Sequence, residues 1–193
     1  MSRRAVFLDR DGVLVADVDL LVDPADIDVL DGVPEALSAL AGAGYALVMV
    51  TNQTVVARGL ATELELQRIH AALTERLRSG GSPKLDAIYV CLHHPNATLA
   101  RYRADCECRK PRPGLLLRAA RELDLDLSAS TLVGDRQSDV TAGSLAGCAT
   151  VLVGSGAYAS EPIETTLELD KALEPDIVCA DLAEAARWIL GRS

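Results

Sequence analysis

The strongest constraint in this sequence is a rhythm. Short apolar, β-type runs alternate with helix-like stretches along the chain. The runs are AVFL at 5–8, YALVMV at 45–50, AIYVCL at 87–92, STLVG at 130–134, ATVLVG at 149–154 and DIVCA at 176–180. Between them lie EALSALAGAG (35–44), ATELELQRIHAALTERLRSGG (61–81), PGLLLRAARELDL (113–125) and SDVTAGSLAG (138–147). Leu64, Ile69, Leu73 and Leu77 keep roughly helical spacing, and Gly80-Gly81 ends that helix. Strands that are apolar along their whole length and joined through helices predict a parallel sheet covered on both faces. The expected fold is doubly wound, Rossmann-like α/β, and 193 residues suit one domain spanning 1–193. Segments 92–112 and 155–175 read as loops, the second acidic and rich in small residues.

Such a sheet also says where chemistry belongs. In open parallel sheets, ligands bind beyond the carboxyl ends of the strands, near the point where strand order reverses. Asp9 follows the first run, Thr51-Asn52 the second, and Gly134-Asp135 a later one. Asp9 and Asp11 stand two residues apart, and like charges so close repel unless something cationic lies between them. A hairpin turn would explain Asp11-Gly12, but the following VLVADVDLLV lacks clean alternation and a hairpin has no need of Asp9. In the chemical reading, one carboxylate attacks phosphorus in line and the other serves as proton donor, then base. Asp135 is then placed to share a Mg²⁺ with Asp9, since that ion is usually held by one or two carboxylates, waters and phosphate oxygens. The Thr51 hydroxyl and nearby N–H groups suit phosphoryl oxygens. Arg109, Lys110 and Arg112 put three cations in four positions of an otherwise acidic chain, where a phosphate dianion would need them.

A second constellation lies in the 92–112 region. Cys91-Leu92-His93-His94 and Cys106-Glu107-Cys108 form two close ligand pairs separated by a loop, a spacing that suits one tetrahedral Zn²⁺. Spacing alone does not choose between His93 and His94. Four protein ligands would leave no open position, so this zinc would brace a loop that delivers Arg109 and Lys110 to the sheet edge. Cys148, Cys179 and His70 are expected in the core. The glycine pairs at 42–44 and 154–156 lack a dinucleotide site's third glycine and helix, and no Walker loop is present.

The net charge of −9 argues against a nucleic-acid partner. No apolar run approaches the roughly 20 residues that span a bilayer. The N-terminal MSRRAVFLDRDG meets charge too soon for a secretory signal, so the cytoplasm is the expected address and a membrane is not an expected partner. A monomer is expected. Five cysteines in such a compartment suit metal ligation or burial better than disulfides.

With those residues placed, the chain resembles the haloacid dehalogenase (HAD) superfamily of phosphatases. Its four motifs match in order at Asp9-x-Asp11, Thr51, Lys110, and Asp135 with Asp139. The Cys-x-His and Cys-x-Cys pairs running into Cys-Arg-Lys-Pro are similar to the zinc-loop subgroup that includes heptose-bisphosphate and histidinol-phosphate phosphatases. The resemblance covers about residues 4 to 155. It implies Asp9 as nucleophile, Asp11 as general acid and base, and Thr51 and Lys110 on the phosphoryl group. It implies Mg²⁺ on Asp9, the Asp11 main-chain carbonyl and Asp135, with Asp139 orienting Lys110. Zn²⁺ would sit on Cys91, His93, Cys106 and Cys108, within a loop at 91–108. Asn52, Arg58, Arg109 and Arg136 would bind substrate, and no insertion provides a separate cap. The subgroup usually carries an Asn and then a Gly-Tyr after the first motif, where this chain has Val15 and Asp19-Leu20. It usually follows Thr-Asn-Gln with Ser-Gly-Ile, where this chain has Thr54-Val55-Val56 before Ala57-Arg58-Gly59.

The function these features predict is hydrolysis of a small phosphorylated sugar, such as the 7-phosphate of a heptose bisphosphate, through an aspartyl-phosphate. Histidinol phosphate or another small phosphomonoester is the alternative substrate. A phospho-accepting signalling module is the reading from another class, but those modules place the acceptor after a middle strand with no acid two residues on. A non-catalytic zinc-loop interaction protein would leave the polar strand ends unexplained.

Overall fold

The structure, a computed structural model, describes residues 2–154 and 173–192. Most of the acidic segment read as a loop at 155–175 lies outside the described residues.

Six parallel strands form one sheet among the described residues: β1 (Ala5–Leu8), β2 (Ala46–Asn52), β3 (Ala87–Cys91), β4 (Thr131–Gly134), β5 (Ala149–Val153) and β6 (Ile177–Cys179). Their order across the sheet is β3-β2-β1-β4-β5-β6. The direction of strand addition reverses at β1, whose neighbours are β2 and β4. Five helices cover the sheet: α1 (Val33–Gly42), α2 (Glu63–Ser79), α3 (Gly114–Leu123), α4 (Gln137–Ala146) and α5 (Leu182–Gly191).

Both faces are buried, which is why the strands read as continuous apolar runs. Alternate residues Val6, Leu8, Leu47, Met49 and Val133 point into one core with side chains of α1, α2 and α5. Ala5, Phe7, Ala46, Val48, Val50 and Leu132 point into the other, against Leu115, Leu116 and Ala119 of α3 and Ala142 of α4. This is the doubly wound arrangement.

Three details depart from the sequence reading. β2 runs through Asn52, which pairs with Cys91, so Thr51 and Asn52 are its last residues and do not follow it. Leu64 is exposed, because the buried stripe of α2 is Leu66, Ile69, Leu73 and Leu77 and a residue five before Ile69 falls off that face. Finally, α5 had no counterpart in the sequence reading. Asp181 caps it by accepting from the Glu184 N–H at 2.8 Å, and Leu182, Ala185, Ala186 and Ile189 bury its inner face.

α2 begins in a reciprocal cap, with the Thr62 side chain accepting from the Glu65 N–H and the Glu65 carboxylate accepting from the Thr62 N–H at 2.7 Å. No described helix is long and apolar enough to cross a membrane.

Candidate active site

The carboxyl ends of β1, β2 and β4 meet where strand order reverses. β1 stops at Leu8, and Asp9 turns off its end with its N–H bonded to the Val133 carbonyl of β4 at 3.0 Å. β4 stops at Gly134, and Asp135 follows. Gly12, in the left-handed region at φ 72°, completes the turn after Asp11 and lies directly beneath Asp135. A Cβ at position 12 would stand 2.4 Å from Asp135 Oδ2, so the approach of these two segments requires glycine there.

Asp9, Asp135 and Asp139 offer carboxylate oxygens that lie within 4.8 Å of one another, all on buried residues. Three carboxylates so close need positive charge. Lys110 supplies one part of it: its ammonium lies 2.5 Å from Asp139 Oδ1 and 3.1 Å from Asp9 Oδ1, and donates to the Val50 carbonyl at 3.0 Å. Burial works against that charge, but Asp139 and Asp9 outweigh it and raise the lysine's pKa. Asp139, at the start of α4, also accepts from the Arg136 N–H at 3.2 Å. It is therefore committed to Lys110 and its own helix end.

Asp135 is different. Both of its oxygens are buried without a hydrogen-bond partner. Burial first, then the charges of Asp9 and Asp139, push its carboxyl up to about 8. The unpartnered Asp135 carboxylate, beside that of Asp9 at a strand end, has the all-oxygen donor chemistry that a hard divalent cation such as Mg²⁺ takes.

Asp11 is not one of these three and is held by other side chains. Arg10 donates to it from Nε and Nη2, each at 2.9 Å, and Gln53 Nε2 donates to Oδ2 at 2.9 Å. The same Gln53 amide reaches Thr51 Oγ1 at 2.9 Å. Neither Arg10 nor Gln53 was singled out from the sequence. An arginine beside two aspartates reads as surface charge, and only its burial to 1 % exposure reveals its part.

The sulfur cluster lies next to this rim. Cys91, His93, Cys106 and Cys108 bring one ligand atom each to within 4.8 Å of all the others. The sulfurs are 3.1 to 3.6 Å apart, and His93 Nδ1 is 3.5 Å from Cys108 and 3.9 Å from Cys91. The edge of a tetrahedral site with metal–sulfur bonds of about 2.3 Å is about 3.8 Å. The hydrogen bond between Cys108 and Cys91 is the main cause that lowers the Cys108 thiol to about 5. His94 is turned elsewhere, its Nδ1 accepting from the Asn96 N–H at 3.1 Å.

Asn52 fastens this loop to the sheet. Its carboxamide donates to the Lys110 carbonyl at 3.0 Å and accepts from the Lys110 N–H at 3.1 Å. The geometry gives this residue, a substrate-binding candidate from the sequence, a loop-holding job. Arg109 Nη1 reaches the His93 carbonyl at 3.4 Å. Arg136 pairs with Asp17 at 2.9 Å and lies 4.0 Å from Asp135, at the mouth of the carboxylate cluster. Arg58 stands exposed on the turn after β2, and among the described residues no bond joins it to the cluster.

A family model described as HAD-hydrolase-like matches residues 107–185. The D-glycero-beta-D-manno-heptose-1,7-bisphosphate 7-phosphatase of Photorhabdus laumondii is 44% identical over 186 residues, 96% of each chain. The chain belongs to the HAD-like phosphatases. A second relative of this HAD-like phosphatase, the D-glycero-alpha-D-manno-heptose-1,7-bisphosphate 7-phosphatase of Burkholderia mallei, is 40% identical over 79% of this chain and 80% of its own. Among solved structures, the D,D-heptose 1,7-bisphosphate phosphatase from B. bronchiseptica, complexed with magnesium and phosphate, superimposes with a TM-score of 0.81. It is 34% identical and the match covers 98% of this chain and 99% of that one.

One departure of this HAD-like phosphatase from the subgroup pattern leaves a physical trace. Asp19 stands where a glycine is usual and keeps the backbone a glycine would take, with φ 61°. Aspartate tolerates that region better than most residues, and here the Asp17 carboxylate accepts the Asp19 N–H at 2.9 Å. Leu20 then packs beside Val55, Val56 and Ala57, so the segment from Asp17 to Leu20 reaches from Arg136 to the turn after β2.

Proposed function

We propose that the protein is a Mg²⁺-dependent phosphomonoesterase acting on a small phosphorylated sugar, with the 7-phosphate of D-glycero-D-manno-heptose 1,7-bisphosphate as its substrate. The observation that carries this reading is the meeting of Asp9, Lys110, Asp135 and Asp139 at one rim beside a tethered Asp11.

Asp9 is the nucleophile. Its carboxylate attacks phosphorus, and Asp11 gives a proton to the departing sugar oxygen. Asp11, now ionised, takes a proton from water as that water cleaves the aspartyl-phosphate, which restores Asp9. Lys110 pairs with Asp9 and faces the phosphoryl oxygens with Thr51, while Asp139 fixes Lys110 in place. Asp9, Asp135 and the Asp11 carbonyl would hold Mg²⁺, which supplies the charge needed to bring a phosphate dianion beside these carboxylates. Asn52, Arg58, Arg109 and Arg136 are the substrate-binding candidates.

Zn²⁺ on Cys91, His93, Cys106 and Cys108 is structural in this reading, since four protein ligands leave no coordination position free. The loop at 91–108 then serves the catalytic rim, because Lys110 follows Cys108 by two residues. In this reading the enzyme acts as a single domain, 1–193, with no separate cap among the described residues, as a cytoplasmic monomer that binds neither nucleic acid nor membrane.

The two relatives differ in the anomer they are named for, so the decisive test is a panel. It compares kcat/KM for the α and β bisphosphates, histidinol phosphate and simple sugar phosphates, with Mg²⁺ and with metal analysis for zinc. The expected result is a preference for one bisphosphate, loss of turnover in Asp9→Asn, and one zinc per chain in both proteins. A preference for histidinol phosphate overturns the substrate, and normal turnover by Asp9→Asn overturns the mechanism.

A further inference from the structure

Arg10 is the most deeply buried arginine of the described residues, at 1 % exposure. A buried guanidinium needs a partner that repays its lost hydration, and its ion pair here is with Asp11. The two hydrogen bonds, from Nε to Oδ1 and from Nη2 to Oδ2, fix both the position and the plane of the carboxylate. Gln53, itself buried, adds the third donor to Asp11 and ties the same amide to Thr51. A carboxylate has about four acceptor sites, so three donors leave room for one travelling proton.

We propose that Arg10 and Gln53 are positioning residues for proton transfer, holding Asp11 so that its carboxyl meets the leaving oxygen in the first step and the attacking water in the second. The proposal rests on the phosphatase reading above. In the first step the phosphorus–oxygen bond to the leaving group breaks as the bond to Asp9 forms, and the Asp11 proton passes to the leaving oxygen. Asp11 is then the carboxylate that Arg10 is built to hold. In the second step water attacks phosphorus, its proton passes to Asp11, and the bond to Asp9 breaks to release inorganic phosphate. Arg10 gives up no proton in either step.

The leaving group provides the test. An alkoxide cannot depart without a proton, whereas 4-nitrophenolate can. Arg10→Met, Arg10→Lys and Gln53→Leu are compared with the unaltered protein, with Mg²⁺ present, on 4-nitrophenyl phosphate and on the alkyl phosphate turned over best. The quantity read is kcat/KM, which covers only steps up to departure of the leaving group.

Arg10→Met is expected to lose about a hundredfold on the alkyl ester, the usual size of a general-acid contribution, and far less on the aryl ester. Because the base of the second step is also misplaced, it should release a burst of one 4-nitrophenol per site before a slow steady state. Should Arg10→Met not fold, Arg10→Lys carries the test, since an ammonium keeps the charge but not the two-point grip. Its alkyl-to-aryl ratio should fall as well, and Gln53→Leu should follow in the same direction. Equal losses on both esters, the mark of a merely structural role, overturn the proposal. So does an unchanged ratio in the folded variants. An unaltered protein inert to both esters would sink the phosphatase reading instead, and the proposal with it.

Discussion

Lys110 and His70 show two opposite ways of burying a titratable side chain. Lys110 keeps its charge because Asp9 and Asp139 surround it. His70, on α2, has no such partner: its Nε2 is buried without a hydrogen bond, and burial, then the nearby charge of Arg10, push it down to about 4 from 6.5. The unfolded chain therefore takes up this proton before the folded one does. The stabilisation is complete above the unfolded pKa and is lost as pH falls from about 6.5 through about 4. His70→Met should remove that dependence. Between pH 7 and pH 5, urea unfolding should show the parent losing about 2 kcal/mol more than the variant. Asp135 and Asp139, whose carboxyls are raised, act with the opposite sign in the same interval, so the difference between the two proteins is what isolates the histidine.

Among single residues, those that follow a strand directly were legible in the sequence. Asp9 and Asp135 announce themselves by ending apolar runs. The buried partners of Asp11 did not, because nothing in local spacing tells an inward arginine from an outward one. His70 was assigned to the core on its place in the helix, and it is buried.

At the scale of elements, the loop between β3 and α3 is fastened at two places. Asn52 bonds both main-chain groups of Lys110, and the cysteine cluster ties the loop to the end of β3. Asn52→Ala should therefore do two things at once. It should lower stability by about 1–3 kcal/mol, the cost of leaving partly buried main-chain groups unpaired, and it should lower kcat as Lys110 loses its fixed position. A thermal melt and a kcat measurement on one preparation check both, and a variant with intact kcat would show that the loop's cysteine cluster suffices. The start of α4 is held as tightly: a Cβ on Gly134 would come 2.2 Å from the Asp139 Cβ, so the strand-to-helix turn needs that glycine for space. The members of the cluster were readable from spacing except for the choice of histidine. Of the two, His93 turns its Nδ1 toward the sulfurs and His94 does not.

In the whole molecule, alternation of apolar runs made the layered architecture readable, but not the order of strands. Order depends on which crossovers lie on which face, and that is set by long-range packing. The last helix escaped notice because it is short and follows a strand of three residues. Yet α5 closes the core beside α1, with Ile189 at 1 % exposure in the same cluster as Leu37 and Leu40. Ile189→Ala should cost about 2–5 kcal/mol in denaturant unfolding, as buried large-to-small changes do. Its kcat/KM should stay that of the parent, because α5 contributes none of the side chains at the rim.

The contact between Gly12 and Asp135 reaches further. Two stretches more than a hundred residues apart in the polypeptide meet there without a methyl group's clearance. Drift at position 12 is closed off: even alanine would dislodge the Asp135 carboxylate, and no compensating change at 135 could keep a carboxylate there. A lineage carrying any other residue at 12 would have to give up the carboxylate at this place or rebuild the turn.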